Sequence, residues 1–167
     1  MMEIRADVKG IEEVKRVFQA LPTEIARKAL RGALMDGADV IRRQAQAMAP
    51  KARGGAAYWA TKGRAPGRLK ASIVRRARAR PRQGDATVSI GATRNAFYWH
   101  MVEFGHRLVR GRRGAKRQVG TVAPRPFLRP AFAQAGPAAV QRVFERLGPR
   151  IEAIARSLRR RVARLGL

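Results

Sequence analysis

The side chains that could carry acid–base or nucleophilic chemistry are few and scattered along the chain. His100, His106, Asp85 and Glu103 stand at no recognised catalytic spacing, and catalysis needs its acids, bases and nucleophiles within reach of one another. The chain has no cysteine, which excludes thiol catalysis, disulfides and zinc sites of the cysteine type. The glycines within 54–67 lack the spacing of a phosphate-binding turn. We therefore predict a protein that is not an enzyme and that needs neither a cofactor nor a metal.

The chemistry that the composition does favour is the binding of a polyanion. The 167 residues contain 37 Lys and Arg against 11 Asp and Glu, a formal net charge of +26. Such a charge repels itself and has to be offset by a polyanion, by counterions or by a partner with an acidic surface. The charge is concentrated, because residues 51–82 contain 11 basic residues and residues 105–129 contain 8, with no acid in either stretch.

Six basic residues lie close together in the second of these stretches. We predict that they form a mobile loop facing a polyanion, because unpaired positive charges at this density oppose ordering until a countercharge arrives. Two partners are equal alternatives, passing double-stranded DNA held through its phosphates without sequence readout and the acidic surface of a neighbouring protein. A loop that is merely solvated is the third alternative. The six residues are Arg107, Arg110, Arg112, Arg113, Lys116 and Arg117.

Helices are predicted at both ends of the chain. A short amphipathic pattern covers residues 10–21, and a second begins at the candidate N-cap Thr23 and ends at Ala49-Pro50, a helix of about 25 residues. Near the C-terminus, apolar side chains step by four and three from Val140 onward. This pattern predicts a helix over about 131–165, with a kink or restart at Gly148-Pro149.

The middle of the chain is predicted to hold loops and a β-hairpin. Glycine and proline punctuation indicates a mobile loop over 51–67, and alternation over 72–80 and 86–91 indicates a hairpin. For residues 97–104 the pattern allows either a short helix or a strand. The basic stretch 105–122 is interpreted as a second mobile loop, and residues 1–167 as a single domain. The first ten residues, MMEIRADVKG, carry acids and have no apolar h-region, so we expect no signal peptide. No stretch approaches 18 consecutive apolar residues, so we expect no membrane partner.

Four short motifs occur in a characteristic order. They are Ala49-Pro50, then Gly67-Arg68-Leu69-Lys70-Ala71-Ser72-Ile73, then Tyr98 with Val102-Glu103-Phe104-Gly105, and finally Pro126-Phe127-Leu128-Arg129-Pro130-Ala131. In this order and spacing the chain, over about residues 10–145, resembles the neck or tail-completion proteins of long-tailed bacteriophages, which belong to the head-to-tail connector.

The resemblance implies a fold and a set of partners. The fold would be α+β, a small antiparallel β-sheet packed by a long N-terminal helix and a long C-terminal helix. The subunit would assemble with itself into a ring, expected to be a hexamer, that joins the head connector to the tail tube and borders the DNA passage. Its other partners would be the neighbouring connector and the tail-terminator or tail-tube proteins. It would be located at the neck of the virion, after assembly in the host cytoplasm.

The last two motifs supply the candidate site residues. Phe104 and Phe127 are interpreted as anchors of an interface or simply of the core, and Arg125 and Arg129 as ion-pair partners of Glu103 or as solvated surface. The set of assembly-interface or core anchors is Tyr98, Glu103, Phe104, Gly105, Arg125, Pro126, Phe127 and Arg129.

A second function, from a different class, also accommodates the charge. A basic nucleic-acid-binding protein of ribosomal-protein type would carry a net charge of this size as a matter of course. No RNA-binding module signature is present, however, and the aromatic residues around 58–59 and 97–99 are not spaced as a base-stacking platform. A defined ring in the absence of nucleic acid would separate the two functions.

Overall fold

A computed structural model describes residues 23–51, 66–79, 86–111 and 117–164. The helix predicted over 10–21 and most of the loop predicted over 51–67 lie outside these ranges. The described residues divide into two compact units, one drawn from 23–40, 75–79, 86–89 and 135–164 and the other from 41–51, 66–74, 90–111 and 117–134. The prediction of a single domain stays a prediction.

Helix α1 runs over Thr23–Met48, as the apolar period predicts. Within the first unit its buried side chains are small, and Ala29 and Ala33 have no exposed surface. At Gly37 an added Cβ would lie 2.6 Å from the carbonyl oxygen of Ala139. A side chain larger than glycine would therefore force the two backbones apart.

Ion pairs whose acids are half-buried hold the polar side of the first unit together. Arg75 pairs with Asp39 at 3.0 Å and also donates to the carbonyl oxygen of Met35 at 2.7 Å. Asp36 accepts from Arg150 at 2.9 Å. Acids of α1 thus neutralise arginines that are distant in sequence.

The second unit has its own apolar core. Helix α2 (Arg68–Ser72) leads directly into strand β1 (Ile73–Ala79), which pairs with β2 (Ala86–Ala92). The second unit includes only residues 73–74 of β1 and 90–92 of β2. A 3-10 turn over Arg94–Ala96 follows, and then helix α3 (Trp99–Phe104). The core of this unit packs around the fully buried ring of Phe127, and its buried members are Ala45, Ala49, Leu69, Ile73, Ala96, Phe127 and Ala131.

The segment predicted as a second basic loop is a β-hairpin. Strand β3 (His106–Arg110) pairs antiparallel with β4 (Arg117–Val122), in a register that sets His106 opposite Val122 and Arg110 opposite Arg117. The loop prediction for 105–122 was wrong over the strands, because valine, leucine and threonine between the charges favour extended pairing. The fold is α+β as predicted, with two small antiparallel sheets instead of one.

Helix α4 runs without a break over Leu128–Arg164. It begins slightly earlier than the predicted residue 131, because Pro130 lies in the first turn, where a backbone N–H has no partner within the helix. Pro137 and Pro149 both lie inside the helix. Of the predicted kink or restart at Gly148-Pro149, the restart was wrong, since the loss of one backbone hydrogen bond does not end the helix there, and the kink stays a prediction.

Candidate assembly surface

Glu103 connects α3 to the beginning of α4. Its Oε2 accepts hydrogen bonds from the backbone N–H groups of Phe127 (2.8 Å) and Leu128 (3.0 Å), and its Oε1 accepts from the N–H of Arg129 (3.1 Å). The side chain is only 1% exposed. The first N–H groups of a helix lack partners within it, and a negative charge at this end is favoured. Glu103 therefore caps α4 from a distance of 24 residues in sequence, and we call this arrangement the Glu103 cap.

The cap determines the protonation state of Glu103. Burial by itself raises the pKa of this carboxyl group, but the backbone hydrogen bonds from Phe127, Leu128 and Arg129, with the side chain of Arg129, lower it by more. The pKa of Glu103 therefore lies below its ordinary value, because hydrogen bonds to a carboxylate stabilise the charged form. Glu103 is a structural anion and is not poised to exchange protons near neutral pH.

Arg129 completes the cap from the solvent side. Its Nε lies 3.3 Å from Glu103 Oε1, and its guanidinium carbon lies 4.9 Å from the centroid of the Phe104 ring. Arg125 contributes differently, because its backbone N–H donates to the carbonyl oxygen of Val102 at 2.7 Å. Of the two arginines predicted to pair with Glu103, the structure brings Arg129 and not Arg125 to the carboxylate.

Gly105 turns the chain from α3 into the hairpin. Its φ is 72°, a conformation that side-chain-bearing residues rarely adopt, and an added Cβ would lie 2.6 Å from the carbonyl oxygen of Val122. Glycine is therefore required here both by the backbone conformation and by the close approach of the returning strand.

The structure separates the two aromatic anchors. Phe127 is fully buried in the core of the second unit, whereas Phe104 is 59% exposed. Tyr98 is half-buried against that core and meets Phe97 edge-on, with ring centroids 5.9 Å apart. Pro126 is exposed. Most of the predicted anchors thus lie around one junction in the second unit, but only some of them face its interior.

Large apolar side chains are exposed around this junction, and we call them the apolar set. Of the eight large hydrophobic residues that are exposed in the described part of the chain, seven lie between residues 97 and 122. Monomeric proteins rarely leave large apolar patches uncovered, and such patches mark interaction sites. The set consists of Phe97, Met101, Phe104, Leu108, Val109, Val119 and Val122.

The hairpin carries the predicted polyanion-facing residues beside members of the apolar set. Arg107, Arg110 and Arg117 are all exposed, and Arg110 lies directly opposite Arg117. Like charges in such cross-strand positions repel each other, so an anionic partner would stabilise this end of the hairpin. The remaining predicted residues, Arg112, Arg113 and Lys116, lie outside the described residues.

Sequence reasoning missed the apolar residues of the hairpin, because the charges were taken as the dominant signal. The clue was the occurrence of Leu108, Val109, Val119 and Val122 among the arginines, a composition typical of strands. Across residues 23–51, 66–79, 86–111 and 117–164, no group of three or more His, Cys, Asp or Glu side chains could hold a metal ion. None of the helices in these ranges is both long and apolar enough to cross a bilayer.

These features are those of an α+β subunit that assembles with other proteins: long helices, a buried capping carboxylate and an uncovered apolar set. The chain belongs to the HK97-gp10-like family, described as "Bacteriophage HK97-gp10, putative tail-component", whose model matches residues 12–105. This confirms the predicted resemblance to phage neck and tail-completion proteins. The match ends at Gly105, so it includes Glu103 but not the N–H donors of the cap. No match is found among curated proteins or among solved structures.

Proposed function

We propose that this phage tail component is a structural protein of the neck, which closes into a homo-oligomeric ring between the head connector and the tail tube. The ring, expected to be a hexamer, would border the passage for DNA in the virion and would assemble in the host cytoplasm. The observation that carries the proposal is the concentration of the apolar set at Phe97, on α3 and on the β3–β4 hairpin. An assembled state would cover these side chains.

The composition of the core supports assembly as well. Ten of the fifteen buried hydrophobic residues in the described chain are alanines, and each buries little apolar surface. Because burial stabilises a protein roughly in proportion to the apolar area removed from water, at about 25 cal/mol per Å², a core of alanines stabilises weakly. Burial between subunits would add what the core lacks, and a head-to-tail interface that closes on itself produces a ring without an open end.

The arginines of the hairpin support a position next to a polyanion. Arg107, Arg110 and Arg117 are exposed on neighbouring strands, and a ring would repeat them around its circumference. Contacts of this kind would be made to phosphates and would be indifferent to DNA sequence. The acidic surface of an adjacent ring of the tail would satisfy the same charges and remains the alternative partner for the hairpin.

The ring can be tested with a matched pair of variants. Native mass spectrometry of the purified chain, free of nucleic acid, should show one closed oligomer. Leu108→Asp should dissociate it and reduce the yield of tailed particles, because Leu108 belongs to the apolar set and is 48% exposed. Leu158→Asp introduces the same change at a residue that is 39% exposed on α4 and outside the set, and it should leave the ring intact.

Two results would contradict the proposal. If Leu108→Asp and Leu158→Asp behave alike, the apolar set is not the interface. If the chain is monomeric alone and acquires a defined state only with RNA, the nucleic-acid-binding function of ribosomal-protein type is the better explanation of its charge.

A further inference from the structure

A groove of about 320 Å³ lies entirely within the second unit. It is lined by the residues after α1, the beginning of α2, the exposed side of α3 and the residues after β4. Leu69 is buried, Tyr98 and Val102 are half-buried, and Met101 and Val122 are 45% and 40% exposed. The volume is at the lower end of the range for ligand pockets. The groove therefore suits a few side chains of an extended peptide better than a folded element.

The charged side chains that line the groove are all positive within the described part of the chain. Lys51, Arg68 and Arg125 line the groove, and no acidic side chain does so among the residues that the structure describes. Lys51 and Arg125 are exposed to solvent. An occupant that brings carboxylates would therefore meet complementary charge, whereas a basic occupant would be repelled.

The apolar lining argues against nucleic acid as the occupant. Binding of DNA without sequence preference relies on cations that meet phosphates, and a phosphate backbone has no large apolar group to place against Leu69 and Val102. Side chains of a protein segment fill such a space by removing apolar surface from water. The groove combines this lining with flanking cations, a combination that fits a peptide with both apolar and acidic residues.

A second copy of this chain is poorly suited to supply the acids. Within the described ranges, Asp36 pairs with Arg150, Asp39 with Arg75, and Glu145 with Arg142. Glu152 is an exposed acid outside these pairs. Glu103 is buried in its cap. Each further copy also adds a net charge of +26. The net charge of each copy therefore favours a different protein as the source of the complementary charge.

We propose that this groove receives an extended, acidic peptide segment with large apolar side chains, supplied by another protein of the tail. The apolar side chains pack against Leu69, Tyr98 and Val102, and the carboxylates pair with Lys51 and Arg125. That the supplier is a tail protein rests on the proposed function, whereas the groove itself requires no ring.

The test uses the full chain and a short fluorescein-labelled peptide in which Glu and Asp alternate with Leu and Phe. Fluorescence anisotropy measures its affinity beside two matched peptides, one with Ser in place of every Leu and Phe and one with Lys in place of every acid. The acidic apolar peptide should bind more tightly than both. Anisotropy is measured at chain concentrations that native mass spectrometry shows to be monomeric, and again at concentrations that show any oligomer, so failure of the ring and failure of the groove are separate results.

Substitutions in the chain test whether the peptide binds in the groove. Arg125→Glu should weaken binding about threefold to thirtyfold, because reversal of the charge turns an ion-pair attraction into a repulsion of similar size. Arg146→Glu changes the net charge equally at an exposed site on α4, and it should change the affinity less than about twofold. Met101→Ser should also weaken binding, and Met101→Gln provides a second variant if the serine form is unstable.

Four outcomes would overturn the proposal. Equal binding of the serine-substituted peptide would mean that diffuse charge alone attracts acidic ligands. Displacement of the peptide by duplex DNA, with DNA binding equally sensitive to Arg125→Glu, would make the groove a nucleic-acid surface. If the peptide instead dissociates the chain's own oligomers, the occupant is a second copy. If binding appears only after Tyr58→Ser with Trp59→Ser, the chain fills its own groove.

Discussion

Replacement of Glu103 by alanine should destabilise the protein by about 3 kcal/mol. The change leaves the N–H of Phe127 buried without an acceptor, which costs about 1–3 kcal/mol. Loss of the helix cap over Leu128 and Arg129 costs about another 1 kcal/mol, although water can reach these partly exposed groups. The side chain of Arg129 is 52% exposed, so its lost ion pair adds less than about 1 kcal/mol.

The assay is urea denaturation followed by circular dichroism, with Glu145→Ala as the control. Glu145 pairs with Arg142 on the surface and is 47% exposed, so its replacement raises the net charge equally and should cost less than about 0.5 kcal/mol. Glu103→Gln keeps one acceptor oxygen and should lie between the two, at about 1–2 kcal/mol. Equal stabilities of Glu103→Ala and Glu145→Ala would refute the argument that the Glu103 cap holds α4 in place.

Three further predictions follow from the same region. Because the folded-state pKa of Glu103 lies below the ordinary 4.5, its contribution to stability is complete above that pH and is lost as the pH falls through the folded-state pKa; the stability difference between the wild type and Glu103→Gln, measured by denaturation at several pH values, should close in acid. Gly105→Ala should lower stability by about 2 kcal/mol or more, whereas Gly91→Ala, at an open site in strand β2, should raise it by about 0.5–1 kcal/mol, and equal melting temperatures would contradict this. If the hairpin neutralises about four phosphates, the logarithm of DNA affinity should fall against the logarithm of salt concentration with a slope near −3.6. Conversion of all six basic residues from Arg107 to Arg117 to Gln should abolish that slope. Unchanged affinity and particle yield would show that the hairpin is only solvated.

The long helices were predictable because their apolar residues recur over many turns. Helix α1 has the predicted bounds, and the β1–β2 hairpin lies where alternation indicated it. The β3–β4 hairpin was not predictable in this way, since nearly all of its side chains stay exposed. A strand with no buried face shows no alternation of apolar and polar residues in the sequence. The basic residues are then the most prominent feature of the segment.

Several residues of the candidate site were predicted from the sequence, but the contacts that they make were not. The sequence placed Glu103 and Arg129 together, yet it could not show that the carboxylate mainly binds backbone N–H groups. Capping signals that can be read from sequence lie within a few residues of the helix start, whereas Glu103 is 24 residues away from Phe127. Similarly, nothing in the sequence distinguishes Glu103, which faces inward, from the exposed Phe104 that follows it.

The two ends of the β3–β4 hairpin are fastened to each other independently of its length. Val102 accepts from the N–H of Arg125, and Gly105 lies against the backbone of Val122 and Pro124. The two strands thus start and end at the same place, where residues 102–105 contact residues 122–125. Residues inserted between the strands would therefore add little to the entropy cost of closing the loop. The contacts at the base of the hairpin therefore do not depend on the sequence or the length of its two strands. It could be shortened, lengthened or replaced by a foreign epitope while the scaffold beneath it keeps its register.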